Sequence, residues 1–221
     1  MNVLVACEES QRVCVAFRAK GHNAFSCDII DCSGGHPEWH IKQDVLPLLN
    51  GRCEFTTCDG ELHTISGKWD LIIAHPPCTY LSNAAACRLY PKKGQLNNER
   101  YQKGLKAKEF FLKILCSDCE KICVENPVQS KIFNMPKYTQ EIQPYQFGHP
   151  VSKRTRLWLK NLPFLVPTNI VDCKSTFLPS NTRKKIKSSY GVCNRGSDSI
   201  NRSKTFPGIA AAMAEQWGGT V

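Results

Sequence analysis

The residues of this 221-residue chain best suited to chemistry lie in the run Asp70-Leu-Ile-Ile-Ala-His75-Pro76-Pro77-Cys78-Thr-Tyr-Leu-Ser82. An apolar strand ends in two prolines, and a cysteine follows at once. Proline has no N–H to donate and a fixed φ, so the strand stops there. The thiol is delivered on a rigid turn at a strand's carboxyl end, where open α/β sheets keep their chemistry. A thiol held there becomes a nucleophile if its surroundings lower its pKa. It can equally be a packing residue behind a strand stop, and this segment alone does not separate the two. A second apolar strand, Lys121-Ile-Cys-Val124, is stopped by Glu125-Asn126-Pro127. In a parallel sheet both turns share one rim, so a thiol and a carboxylate face one pocket. A third block, Gln143-Pro-Tyr-Gln-Phe-Gly148-His-Pro150-Val-Ser-Lys-Arg154-Thr-Arg156, combines a tight turn with two arginines. At alternating spacing on a strand, Arg154 and Arg156 face the same side.

The elements that position these residues read as an alternation of strands and helices. Residues 2–6 are a short apolar strand. Residues 11–20 carry Val13, Val15, Ala16, Phe17 and Ala19 at near-helical spacing, with Lys20-Gly21 as a helix stop. Residues 23–30 form a second strand ending near Asp28, which completes a β-α-β unit. Gln43-Asp44 opens a short apolar turn from Val45 to Leu49. Residues 84–104, with Pro91 and Gly94, read as a long mobile loop directly after Cys78, and loops of this length in compact domains are functional or disordered. Residues 105–115 read as an amphipathic helix with Leu105, Phe110, Phe111, Ile114 and Leu115 on one face. Residues 143–147 and 156–160 read as further strands. The interval 161–205 turns polar and basic, and Phe206-Pro-Gly208 leads into a helix of small residues from Ile209 to Trp217. The fold class is α/β, a doubly wound, mostly parallel sheet in one catalytic domain spanning 1–221.

Bulk composition narrows the function. A hydrophobic fraction of 42% supports a packed core, and there is no apolar run long enough to span a membrane. The amino terminus lacks a basic n-region and reads as a first core strand, so a cytoplasmic protein is expected. Thirteen cysteines without an export signal suit reduced thiols better than a disulfide framework. Twenty-nine basic against 19 acidic residues give a net charge of +10, which favours a polyanionic partner such as nucleic acid.

With these residues in place the chain resembles the DNA cytosine-5 methyltransferases, in particular the compact versions of phages and prophages. That family's Pro-Pro-Cys nucleophile matches Pro76-Pro77-Cys78, and Ser82 falls where the family favours serine. Its Glu-Asn-(Val/Pro) motif matches Glu125-Asn126-Pro127. Its Gly-x-Pro-Gln-x-Arg-x-Arg block is similar to Gly148-His-Pro150-Val-Ser-Lys-Arg154-Thr-Arg156, with one residue inserted and no glutamine. The resemblance covers residues 2–160 and 204–218. It implies a Rossmann-like fold and methylation of cytosine at carbon 5 in DNA, with S-adenosylmethionine as donor and a base flipped from the helix. Cys78 would attack carbon 6, Glu125 would serve ring nitrogen 3, and Arg154 and Arg156 would hold the base carbonyl or a phosphate. Cofactor contacts fall on Ala6, Cys7, Glu8 and Ser10 of the first turn, on Asp28 and Ile29, on Asp44 and Val45, and on His75 and Pro76. Helix 206–214 returns to that pocket, and His75 is read as a pocket wall, not a base. Nucleic-acid contacts fall on Ser82, on Arg88, Lys92, Lys93 and Arg100 of the 84–104 loop, and on Arg183, Lys184 and Lys185.

Two departures from the family shape further expectations. The first turn, Ala6-Cys-Glu-Glu-Ser10-Gln-Arg12, contains no glycine. Either small residues and Glu8 or Glu9 suffice for the donor, or the chain is a silent nucleic-acid-binding relative. The interval 161–205 is short for a target-recognition domain, which predicts relaxed sequence preference, a homodimer or accessory specificity partner, or a substrate such as RNA or a free pyrimidine nucleotide. Cys116, Cys119 and Cys123 invite a zinc reading, but a second tight pair is not evident and packing thiols are preferred, so no metal is expected. Trp39, Trp69, Trp158 and Trp217 are expected in the core.

Overall fold

A computed structural model describes residues 1–176 and 203–219. The strands are β1 (Asn2–Ala6), β2 (Asn23–Asp28), β3 (His40–Lys42), β4 (Cys53–Thr56), β5 (Leu62–Ile65), β6 (Leu71–Ala74), β7 (Lys121–Pro127), β8 (Gln140–Ile142), β9 (Val151–Ser152), β10 (Thr155–Lys160) and β11 (Ser175–Thr176). The helices are α1 (Arg12–Arg18), α2 (Ala86–Leu89), α3 (Asn98–Leu115) and α4 (Pro207–Trp217). Seven strands form one sheet in the order β3-β2-β1-β6-β7-β10-β8. The first five are parallel, and β10 runs antiparallel to both β7 and β8. The chain winds outward from β1 through β2 to β3, then restarts at β6 on the other side of β1. This is the strand reversal of doubly wound sheets, and it opens a crevice at the carboxyl ends of β1 and β6. The architecture is the α/β, doubly wound, mostly parallel sheet that the sequence predicts.

The core lies on both faces of this sheet because the central strands are apolar at every position. Val3, Val5, Leu71, Ile73 and Cys123 point to the face covered by α1 and α4, where Phe17, Met213 and Trp217 are buried. Leu4, Ala6, Ile72, Ala74, Ile122 and Val124 point to the opposite face, under Phe111 and Ile114 of α3. The β4–β5 hairpin, which the sequence reading does not anticipate, closes that second face. It places Phe55 edge-on to Phe25 at 5.0 Å, beside the fully buried Trp69. Trp158 and Trp217 are also buried, while Trp39 is half-buried and stacks on His36 at 4.0 Å.

Several elements differ from expectation for local reasons. Residues 84–104 are not one long loop. The Ser82 side chain accepts from the Ala84 N–H and starts a 3-10 turn that runs into α2. Asn97 caps the amino end of α3 by accepting from the Arg100 N–H, so that helix begins seven residues before the apolar stripe that identified it. Residues 143–147 are a 3-10 turn, not a strand. Pro144 cannot donate to a ladder, and the Gln143 N–H donates to the Gln146 side chain at 2.7 Å. The strand lies just before it, as β8. Glu125-Asn126-Pro127 does not stop β7 either. The strand continues because β10 pairs with it antiparallel through Pro127.

Gly208 in the first turn of α4 sits against the backbone of the loop that follows β8. A Cβ built there would lie 1.9 Å from the Phe147 carbonyl oxygen. Gly208→Ala is expected to destabilise the protein by about 1–3 kcal/mol, the usual effect of overpacking. Thermal or denaturant unfolding measures this, and an unchanged midpoint would refute the close packing of α4.

Candidate active site

The two proline-marked segments meet as expected. A cavity of about 560 Å³ at the carboxyl rim of β6 and β7 is lined by His75, Pro76, Pro77, Cys78, Glu125, Asn126, Lys153 and Arg154, among others. The size suits a small-molecule pocket. Its construction follows from the prolines. Pairing between β6 and β7 ends at Ala74 and Val124, so the next three residues of β7 face the His75-Pro76-Pro77 turn without a backbone ladder. Asn126 bridges the gap, its side-chain amide donating to the Pro76 carbonyl at 2.9 Å while the residue is 1% exposed. The Cys78 carbonyl accepts from the N–H groups of Leu81 and Ser82, which folds the thiol-bearing turn back on itself.

Glu125 lies two residues beyond Cys123 and shares its face of the sheet. Its carboxylate is 3.2 Å from Nδ1 of His75, and both side chains are largely buried. Burial pushes the Glu125 carboxyl up, but the hydrogen bond and charge of His75, with Lys153 beside it, hold it below the usual carboxylate range. Burial pushes the His75 imidazole down, while Glu125 and then Glu8 bring it above the usual histidine value. His75 is therefore the partner of Glu125 as well as a wall of the pocket.

The arginines do not act as one pair. Arg154 is exposed and lines the cavity. Arg156 does not line it; its guanidinium bonds Glu141 at 3.3 Å and the Gln129 side chain at 3.4 Å, and lies over the Tyr138 ring. The alternation rule fails because β10 begins only at Thr155, and residues 153–154 are irregular. The same irregularity turns Lys153 into the cavity. That residue was missed, although it stands within the basic block already singled out.

The first turn reaches a glycine-like path without glycine. Cys7 and Gln11 both adopt φ of 58°, the left-handed region. Glu8 is 3% exposed, and its carboxylate accepts from the N–H groups of Val13 and Cys14, capping α1. Ser10 is buried, and the Gln11 side chain is tied to the backbone N–H and carbonyl of His36. Asp28 and Asp44 converge on Cys7. Burial and then these two carboxylates, with Cys27, raise its thiol far above the usual range. Ile29, just past Asp28, is 73% exposed. Ala6 is buried at the end of β1, and Val45 is buried beside Asp44. This rim offers two carboxylates to hydroxyl or amino groups and an apolar side chain to a ring. The segment leading into α4 crosses the crevice. The Arg12 guanidinium donates to the Thr205 carbonyl at 2.7 Å, Lys204 donates to Ser33, and Ser203 lines the Cys78 cavity.

Of the residues assigned to nucleic acid, Ser82 is buried at the cavity wall, and Arg88, Lys92 and Lys93 are exposed on and after α2. Arg100 is turned inward. It donates to the Thr79 carbonyl and lies over the Tyr80 ring, fastening α3 to the turn that carries Cys78. Arg183, Lys184 and Lys185 lie outside the described residues. Cys119 packs on one face of the sheet and Cys123 on the other. Among the described residues no group of three His, Cys, Asp or Glu side chains is placed to hold a metal ion, and no helix is long and apolar enough to cross a membrane.

No protein-family model and no curated protein matches the chain. Among solved structures it is similar to one described as a candidate DNA modification methyltransferase encoded within a prophage of E. coli. The two share 14% identity at a TM-score of 0.43, over 78% of this chain and 52% of that one, so this chain spans about half the length of that structure.

Proposed function

We propose that this protein methylates cytosine at carbon 5 in DNA through a covalent adduct with Cys78. The observation that carries this reading is the convergence of Cys78, Glu125 and Arg154 on one cavity at the sheet rim. S-adenosylmethionine, held by Asp28, Ile29, Asp44 and the first turn, supplies an electrophilic methyl group. The protein's task is to make carbon 5 nucleophilic, since in an intact cytosine it is not. The Cys78 thiolate adds to carbon 6, and Glu125 serves ring nitrogen 3 so that charge does not build on the base. Arg154 and Lys153 hold the base carbonyl or a flanking phosphate. Asn126 fixes the turn that aims the thiol. Arg88, Lys92 and Lys93 meet the backbone of the nucleic acid.

The deciding assay incubates the protein with labelled donor and, side by side, duplex DNA, transfer RNA and dCMP, followed by digestion. 5-Methylcytosine in the DNA arm is expected. Label only in the RNA or nucleotide arm would replace the substrate, and no label in any arm would refute the reading.

Binding of the donor is tested separately. S-adenosylhomocysteine at about 100 times its Kd is expected to stabilise the protein by about 2.7 kcal/mol. Asp28→Ala is expected to weaken that binding about tenfold, or roughly 1.4 kcal/mol. Calorimetric titration checks both, and unchanged affinity in the variant would remove Asp28 from the donor site.

A further inference from the structure

In the reading proposed above, Glu125 must help place a proton on the base, yet its own surroundings favour the carboxylate. The carboxylate lies 3.2 Å from Nδ1 of His75, and the two side chains are 18% and 9% exposed. The other ring nitrogen of His75, Nε2, is buried with no hydrogen-bond partner among the described residues. The groups acting on this pair come from three directions: Glu8 from the first turn, Cys123 on β7, and Lys153 ahead of β10. Both members of the pair line the cavity that holds Cys78.

We infer that His75 is the proton reservoir of this site, and that the His75–Glu125 pair gives one proton to ring nitrogen 3 as Cys78 adds and recovers it when Cys78 leaves. This rests on the cytosine reading above. The steps balance. The sulfur–carbon 6 bond forms, the carbon 5–carbon 6 π pair moves to carbon 4–carbon 5, and the carbon 4–nitrogen 3 π pair moves to nitrogen 3, which takes the proton. In methyl transfer the carbon 4–carbon 5 π pair forms the bond to the methyl carbon, the broken sulfur–methyl bond leaves its pair on the donor's sulfur, and the nitrogen 3 lone pair re-forms the carbon 4–nitrogen 3 double bond. The carbon 5 proton then leaves to solvent, its electron pair re-forms the carbon 5–carbon 6 double bond, and the thiolate departs with its bonding pair. The nitrogen 3 proton then returns to the pair. The proton belongs to the pair, since interacting sites titrate together. His75 is thus a positioning and proton-holding residue acting through Glu125.

His75→Asn tests this, because the amide can still bond the carboxylate but cannot carry the proton. Single-turnover methyl transfer is measured from pH 6 to 9. The variant is expected to lose activity at lower pH than wild type, falling by about tenfold per pH unit where wild type holds level, the slope of a one-proton ionisation. A drop by the same factor at every pH would mark a merely structural role and overturn the inference. The titration of His75 by nitrogen NMR is measured in wild type and in Glu125→Gln, which needs neither activity nor a folded His75 variant. The imidazole is expected to titrate above the ordinary histidine value in wild type and to fall in Glu125→Gln. An unmoved imidazole would also overturn the inference. If wild type transfers no methyl group at any pH, the methylation reading fails, and with it the pair's catalytic role, while the titration still reports whether the pair exists.

Discussion

Replacing Cys78 by alanine is expected to lower methyl transfer to DNA by about 10³-fold or more, with no loss of fold. The size follows from the chemistry. Without a sulfur–carbon bond, carbon 5 has no enamine to drive attack, and about 4 kcal/mol of barrier lowering is lost. Alanine keeps the Cys78 carbonyl, and with it the turn bonds it accepts from Leu81 and Ser82. Single-turnover transfer to duplex DNA reads the rate. Trapping on DNA carrying 5-fluorocytosine reads the covalent bond directly, as a protein–DNA species that survives denaturation. Wild type should trap and Cys78→Ala should not. Full methyl transfer by the alanine variant would exclude the covalent route.

The second large effect is expected at Glu125. Glu125→Gln keeps the shape of the side chain but removes its charge, and methyl transfer is expected to fall about 10²–10⁴-fold, the range for losing a general acid–base group. The same change should destabilise the fold, because it leaves His75 buried without its counter-charge. Breaking a buried pair by removing one partner costs about 3–5 kcal/mol. The pH dependence carries the signature. The His75 value is raised in the folded protein, so its contribution is full below the unfolded histidine value and fades as pH rises through the raised one. The Glu125 value is lowered, so its contribution is present above the unfolded carboxylate value and is lost as pH falls through the lowered one. The stability deficit of Glu125→Gln should therefore be widest between the ordinary carboxylate and histidine values and should shrink at higher pH. Denaturant unfolding at pH 6 and pH 9 measures it. A deficit equal at both would show that the pair is not ionised in the native state.

These two residues also mark how far the amino-acid sequence carries by itself. Strands β1, β2, β6, β7 and β10, the helices read at 11–20 and 209–217, and the arrival of Cys78 and Glu125 at one sheet rim are legible in the sequence. Each rests on local signals: apolar runs too continuous for a surface, prolines without an N–H, and capping residues. The first turn was legible only as a lack of glycine. That Cys7 and Gln11 adopt positive φ was not, because nothing local to those residues favours it, and the backbone is held there by neighbours such as His36.

What only tertiary structure decided are the partnerships across the sheet. Arg156 is drawn to Glu141 and Gln129, and Arg100 to the carbonyl of Thr79, by partners that are close in space and distant in sequence. Lys153 turns into the cavity because β10 begins two residues later, and where a strand begins is set by its partner strands rather than by its own residues. His75 and Glu125 are fifty residues apart and reach each other only because β6 and β7 are neighbours in register. Periodicity and proline placement are properties of a few consecutive residues and can be read directly. Charge pairing depends on which strands pack side by side, and that is a decision of the whole chain.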